Sequence, residues 1–328
     1  SHRDSPLLDV DGLRLVAGDR FEPVRGASLS AARGEILGIV GESGSGKSLT
    51  LRAIAGLLPA GVRVVGGQVD VGGVDVGRAT AQELRRLNRD VVGMIFQEPM
   101  TALNPTMRIG EQIAEAIGST NVPRADHRKR VIELLERVGL PDPERQYRAY
   151  PHELSGGMRQ RVVIAIALAG EPALLLCDEP TTALDATVTL RILDLVVGLV
   201  KDLDLGVVLV THDLGVAARV CDRIVVMYAG QVVEEGPSEE LLRRPRHPYT
   251  LALLRAVPTR DREITDLRAI PGAPPQPGEE SSGCAFAPRC EFAMPDCREP
   301  VALTSIGGDR MTACIHHDVL DVGGGRHV

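Results

Sequence analysis

The eight residues Gly41-Glu42-Ser43-Gly44-Ser45-Gly46-Lys47-Ser48 constrain the fold of this chain more than any other stretch. A short apolar run, Glu35–Val40, precedes them, and a helical pattern over Lys47–Leu58, halted before Pro59, follows. The order strand, glycine-rich loop, helix is the context that a G-x-x-x-x-G-K-S phosphate loop requires. Its glycines let backbone N–H groups wrap an anion, and the helix directs the positive end of its dipole at the same place. A strand leading straight into a helix also belongs to a parallel sheet with helices on its faces. Val91–Phe96, Ala173–Cys177 and Gly206–Val210 read as further buried strands, with helices over Arg128–Val138, Met158–Leu168 and Ala186–Leu203. Residues 97–158 show helices without a convincing strand, as a helical insertion would, and Arg223–Val233 reads as a hairpin turning at Ala229-Gly230. The expected class is α/β.

The loop predicts contacts to a nucleotide from Gly41, Ser43, Gly44, Ser45, Gly46, Lys47, Ser48 and Leu49. Lys47 is expected to reach the β- and γ-phosphates and Ser48 to ligate Mg2+. Leu174–Cys177 runs directly into Asp178-Glu179. A strand tip beside the phosphate loop puts Asp178 near Mg2+ and Glu179 where it can orient and activate an attacking water. His212 follows the strand Val207–Thr211 and Gln97 follows Val91–Phe96. Alone, each reads as a structural or loop residue, but ligands of such sheets bind at the carboxyl ends of strands.

Composition narrows the class. The net charge of −7 argues against a dedicated nucleic-acid binder. Aromatics are 2% with no Trp, so Val, Leu, Ile and Ala must build the core. No apolar run reaches the roughly 18–20 residues that cross a bilayer, and the polar start Ser1-His2-Arg3-Asp4 does not read as a signal peptide. A soluble, cytoplasmic chain is expected.

About a hundred residues beyond the loop stands Leu154-Ser155-Gly156-Gly157, just before an apolar helix. Ser155 at a helix start brings hydroxyl and backbone donors onto an anion. With the preceding motifs, in this order, the chain resembles the nucleotide-binding subunit of an ABC transporter from about residue 7 to 258. The resemblance implies a P-loop ATPase core with a RecA-like, mostly parallel sheet. It makes Gly41–Ser48 the Walker A loop, Asp178 and Glu179 the end of the Walker B strand, and Gln97 the Q-loop residue at the Mg2+ and water site. It likewise makes Ala183-Leu184-Asp185 the D-loop and His212 the switch histidine at the γ-phosphate. Ser155, Gly156 and Gly157 then serve ATP bound to an opposite subunit. The aromatic that stacks adenine is expected about 20 residues before Walker A; Phe21 is the best placed, with Val16 and Val24 nearby. Phe96–Pro105, Tyr150-Pro151-His152-Glu153 and Arg246–Thr250 resemble the oligopeptide, dipeptide and nickel importers.

The implied partners are a second ATPase, expected to be a paralogue giving a heterodimer, two transmembrane permeases and an extracytoplasmic solute-binding protein, with no nucleic acid. The implied location is the cytoplasmic face of the membrane, and the implied solute a dipeptide or oligopeptide, with nickel as runner-up. An ABC ATPase outside transport is the competing class. Ribosome-acting forms usually carry two cassettes and chromosome-acting forms a long coiled coil; one Walker A and no sustained heptad run are visible here.

Domains are expected at 1–247, with the helical subdomain about 97–165, and at 248–328, an extension entered after Pro248 and containing the Pro/Gly-rich Ile270–Gly278. Cys177 and Cys221 lie in apolar surroundings as inert thiols do. Cys284, Cys290, Cys297 and Cys314, spaced C-x5-C-x6-C-x16-C, suggest metal rather than disulfides in a cytosolic protein. Four thiolates suit zinc or an iron–sulfur cluster. Zinc favours pairs two to four residues apart, which are lacking; the wider gaps and the resemblance to peptide-importer tails favour [4Fe–4S], with zinc as the runner-up metal and unligated thiols as the remaining reading. His316 and His317 are left out of the ligand set.

Overall fold

The computed structural model describes residues 6–96, 102–118, 120, 122–182, 184–256, 270–276, 279 and 282–322. Gln97, Ala183 and the last two residues of the Pro/Gly run, Pro277 and Gly278, lie outside them. Among the described residues the main sheet has eight strands. At its centre β3 (Ile36–Val40) lies between β8 (Gly206–Thr211) and β9 (Arg223–Tyr228), and β7 (Leu174–Asp178) and β6 (Val92–Ile95) follow beyond β8. These five run parallel. Every residue of β3, β7 and β8 is buried, so both faces of the sheet are covered. The uniformly apolar reading of those strands has this cause.

A second, antiparallel sheet, not foreseen from the sequence, is built from β1 (Leu8–Ala17), β2 (Phe21–Ala31), β4 (Val62–Val71) and β5 (Val74–Asp75) in the order β2-β1-β4-β5. β1 alternates buried and exposed residues, as a sheet with one face on the core does. Its apolar face and one face of the main sheet share a core containing Leu8, Leu13, Val24, Leu37, Ile39 and Val210.

Helix α1 (Lys47–Ile54) is shorter than the expected Lys47–Leu58. It is followed by α2 (Ala81–Asp90), closed at its start by a Thr80–Glu83 capping box. Between β6 and β7 lie α3 (Ile109–Gly118), α4 (His127–Arg137) and α5 (Pro143–Arg148), which pack on one another, with α3 and α4 against α6 (Gly156–Ala167). α7 (Ala186–Leu203) and α8 (Leu214–Val220) complete the parallel units. The expected hairpin is present: β9 turns at Ala229 and Gly230, both at positive φ, into β10 (Gln231–Pro237). Two short helices, α9 (Ser238–Arg243) and α10 (Pro248–Ala256), lead away from β10. Two short C-terminal strands, β11 (Thr304–Ser305) and β12 (Met311–Thr312), then return to extend the main sheet by pairing β12 on β10. Among the described residues, no helix is long and apolar enough to cross a membrane.

Candidate functional site

The carboxyl ends of β3 and β7 meet at one cleft. The loop after β3 wraps tightly because Gly41 admits nothing larger: a Cβ there would lie 2.2 Å from the carbonyl oxygen of Met227 in β9. Gly46 caps α1 at φ 98°, a conformation that glycine adopts without penalty. The N–H groups at the start of α1 are thereby left facing the cleft. Lys47, 4% exposed, folds back over the loop. Its Nζ donates to the carbonyls of Gly41 and Glu42, each at 2.8 Å. Burial holds its pKa below the ordinary lysine value, opposed by Glu179, Asp178 and Glu42.

Ser48 Oγ donates to Asp178 Oδ1 at 2.7 Å, which joins α1 to the tip of β7. Asp178 is 2% exposed, and burial raises its pKa against the pull of Ser48 and Arg52. Glu179 follows at φ 48°, a left-handed conformation costing roughly 1–2 kcal/mol in a residue with a side chain. The bend aims its carboxylate along the cleft, where Oε2 accepts from Thr182 Oγ1 at 2.9 Å and lies 3.1 Å from His212 Nδ1. A buried hydroxyl–carboxylate pair beside a lysine suits a hydrated divalent cation and the anion it accompanies. A half-buried carboxylate held by an exposed histidine suits the handling of a water.

The cleft brings together most of the expected residues: Ser43 through Leu49, Glu179 and Phe21, the last 37% exposed on the wall. Arg14, ion-paired to Glu22 at 2.7 Å, stands on the wall near Phe21. Other expected residues lie elsewhere. Ser155 and Gly156 are exposed at the start of α6, and neither they nor Gly157 and Asp185 line the cleft. Ser155 Oγ caps α6 by accepting from Met158 N–H at 3.3 Å, and Asp185 Oδ1 caps α7 by accepting from Val188 N–H at 2.9 Å. The two helix starts abut: a Cβ at Gly157 would come 2.6 Å from Val188 Cγ1. Two side-chain-capped helix starts therefore meet solvent outside the chain's own phosphate cleft.

Sequence reasoning passed over Glu42, Tyr228 and Arg289. Arg289 donates to the Glu42 carboxylate at 2.7 and 3.1 Å and to Tyr228 Oη at 3.2 Å. Glu42 occupies a variable position of the loop motif, and Arg289 is marked only by its neighbour Cys290; neither carried a signal.

The four C-terminal cysteines line one recess together with His247 and Phe286, and none is in a disulfide. Among the described residues, the one trio of possible ligands with all donor atoms within 4.8 Å is Asp296, Cys297 and His316. No three of the four sulfurs are that close, whereas tetrahedral zinc at about 2.3 Å per sulfur draws them within about 4 Å. Burial pushes the Cys290 and Cys314 thiols up to about 11. His247 is 1% exposed and accepts at Nδ1 from Tyr249 N–H, leaving Nε2 without a partner on the recess wall. An orphaned buried donor beside four thiols fits a bound group with acceptor atoms better than an empty core.

Residues 24–182 match the ABC transporter family, and residues 233–297 match the oligopeptide/dipeptide transporter C-terminal region. The dipeptide transport ATP-binding protein DppD of Escherichia coli is 44% identical, with 97% of this chain and 98% of DppD aligned. The oligopeptide transport ATP-binding protein OppD of Mycobacterium tuberculosis is 46% identical over 96% of this chain and 53% of its own length. The dimeric ABC transporter cassette MJ0796 superposes with a TM-score of 0.62 at 30% identity, over 70% of this chain and 98% of that one.

Proposed function

This chain belongs to the ABC transporter ATP-binding proteins, and we propose that it is the ATP-hydrolysing motor subunit of a peptide importer. The observation that carries the reading is the union, in one chain, of a cleft holding Lys47, Ser48, Asp178 and Glu179 with a C-terminal region of the oligopeptide/dipeptide type. ATP and water become ADP and phosphate. The loop N–H groups and Lys47 hold the β- and γ-phosphates, and Lys47 exchanges the carbonyls of Gly41 and Glu42 for phosphate oxygens. Ser48 and, through water, Asp178 hold Mg2+, with Gln97 assigned to the same site from the sequence. Mg2+ supplies neutralising charge to the γ-phosphate. Glu179 orients the attacking water, and His212, bonded to it, reaches the γ-phosphate. Phe21 stacks on the base.

Ser155, Gly156, Gly157 and Asp185 serve the ATP of a second ATPase subunit, a reading supported by their position outside the chain's own cleft, by the exposure of Ser155, Gly156 and Asp185, and by the dimeric cassette the chain resembles. That subunit, two permeases and a solute-binding protein complete the assembly at the cytoplasmic face of the membrane. Residues 1–247 form the ATPase unit and 248–328 its extension. We assign a [4Fe–4S] cluster to Cys284, Cys290, Cys297 and Cys314, supported by their shared recess, their spread and the orphaned His247 Nε2.

One experiment addresses motor and cargo together. With the permeases in liposomes, a dipeptide-loaded binding protein should raise ATP hydrolysis, and Glu179→Gln should lower it about 10²–10⁴-fold while ATP still binds. Stimulation by nickel but not by peptide overturns the peptide reading. In the same preparation, iron and acid-labile sulfide should fall in Cys290→Ser; unchanged iron, or zinc in its place, removes the cluster assignment.

A further inference from the structure

The segment leading into the cysteine module folds back over the nucleotide cleft. Ala273, Pro274, Pro275, Gln276 and Glu279 line the same cavity as Phe21 and Lys47. The Arg289 side chain fastens this wall. The buried Arg289 guanidinium donates from Nε to the Pro271 carbonyl at 2.8 Å, and from its two terminal nitrogens to the Glu42 carboxylate at 2.7 and 3.1 Å. It lies over the rings of Tyr228 and Phe286. Glu42 in turn donates its backbone N–H to Tyr249 Oη at 2.7 Å. The planar fork of arginine suits this task, because one group engages a carboxylate at two points and still reaches a carbonyl. Wall and phosphate loop are thus clamped to each other through the residue just before Cys290.

The chemistry of the wall selects which part of a nucleotide it meets. The phosphate end already has backbone donors, Lys47 and Ser48, and a further carboxylate there would repel the triphosphate. The wall offers two proline rings, a glutamine amide and the carboxylate of Glu279, without a cation. Proline rings present a flat apolar surface of the kind Phe21 presents, and a carboxylate accepts from ribose hydroxyls, which donate. Gln276 N–H donates to Glu279 Oε2 at 2.8 Å, which orients that carboxylate.

We propose that the wall formed by Ala273, Pro274, Pro275, Gln276 and Glu279, pinned by Arg289, closes the nucleoside end of the ATP site, with Glu279 binding the ribose hydroxyls. The C-terminal extension is then a working part of the nucleotide site. The inference rests on the ATPase reading and deepens it.

Calorimetric titration of the full chain with ATP, 2′,3′-dideoxy-ATP and tripolyphosphate, all in Mg2+, tests it. Glu279→Gln should weaken ATP about tenfold, the loss of one charge-assisted hydrogen bond, while leaving dideoxy-ATP and tripolyphosphate unchanged. Arg289→Lys, which releases the wall but keeps a cation beside Glu42, should weaken ATP more than tripolyphosphate. Unchanged ATP affinity in Glu279→Gln, or equal losses for all three ligands, overturns the wall and leaves the ATPase reading standing. A wild-type chain that binds none of the three overturns both.

Discussion

Asp178 shows how this site trades stability for chemistry. Burial raises its folded pKa above the unfolded value, so its favourable contribution to stability is complete below the unfolded pKa and is lost as pH rises through the folded one. Above that folded pKa the carboxylate is charged and its burial opposes folding. Asp178→Asn, which keeps a partner for Ser48 Oγ, should therefore raise the melting temperature of the nucleotide-free protein by about 2–4 °C. It should also abolish Mg2+-dependent hydrolysis. A lower melting temperature in calorimetry would show that the charge stabilises the fold through Ser48 and Arg52. Glu179 is a second case: its left-handed backbone resists folding locally and gives its carboxylate the line toward His212. The residue types at 178 and 179 were legible in the sequence because an apolar strand ran into them. The strain at 179 was not, since nothing in a side-chain pattern reports φ.

At the scale of elements, the junction between β10 and the C-terminal strands rests on a buried ion pair. Glu234, fully buried in β10, accepts from Arg310 at 2.9 Å and from the backbone N–H groups of Arg246 and His247 at 2.7 and 2.9 Å. Removing one charge leaves the other buried and uncompensated. Glu234→Gln should lower unfolding free energy by about 3–5 kcal/mol, read as a shift of the urea midpoint. A shift worth less than about 1 kcal/mol would mean that water reaches the pair. The parallel strands were readable because each is a short run buried on both faces. The antiparallel sheet of β1, β2, β4 and β5 escaped notice: it is long, glycine-interrupted and only half buried, so its runs carry a diluted alternation. Two-residue strands such as β11 and β12 have no period to detect.

For the molecule as a whole, the decisive feature is a division of labour. Lys47, Ser48 and Glu179 line the chain's own cleft, with Asp178 bonded to Ser48 behind them, and Ser155 lies outside it. Ser155→Arg should leave ATP affinity of the isolated chain within about twofold and lower hydrolysis by the assembled transporter about 10²-fold or more, as loss of donors at a transferring phosphoryl group does. Loss of ATP binding by the isolated variant would place Ser155 in its own site and end the two-subunit reading.

The sequence by itself determined the phosphate loop, the acidic strand tip, the parallel core and the gathering of four cysteines in one tail. Each is a local matter: a loop, a strand end or a spacing is written in consecutive residues, and backbone geometry follows from them directly. Only the tertiary structure decided that Arg289 reaches across to Glu42, that the proline-rich wall stands over the nucleotide cleft, and that Ser155 faces away from it. Those facts depend on how strands far apart in the chain are ordered in the sheet. That order is set by the burial of both sheet faces together, which no single segment encodes.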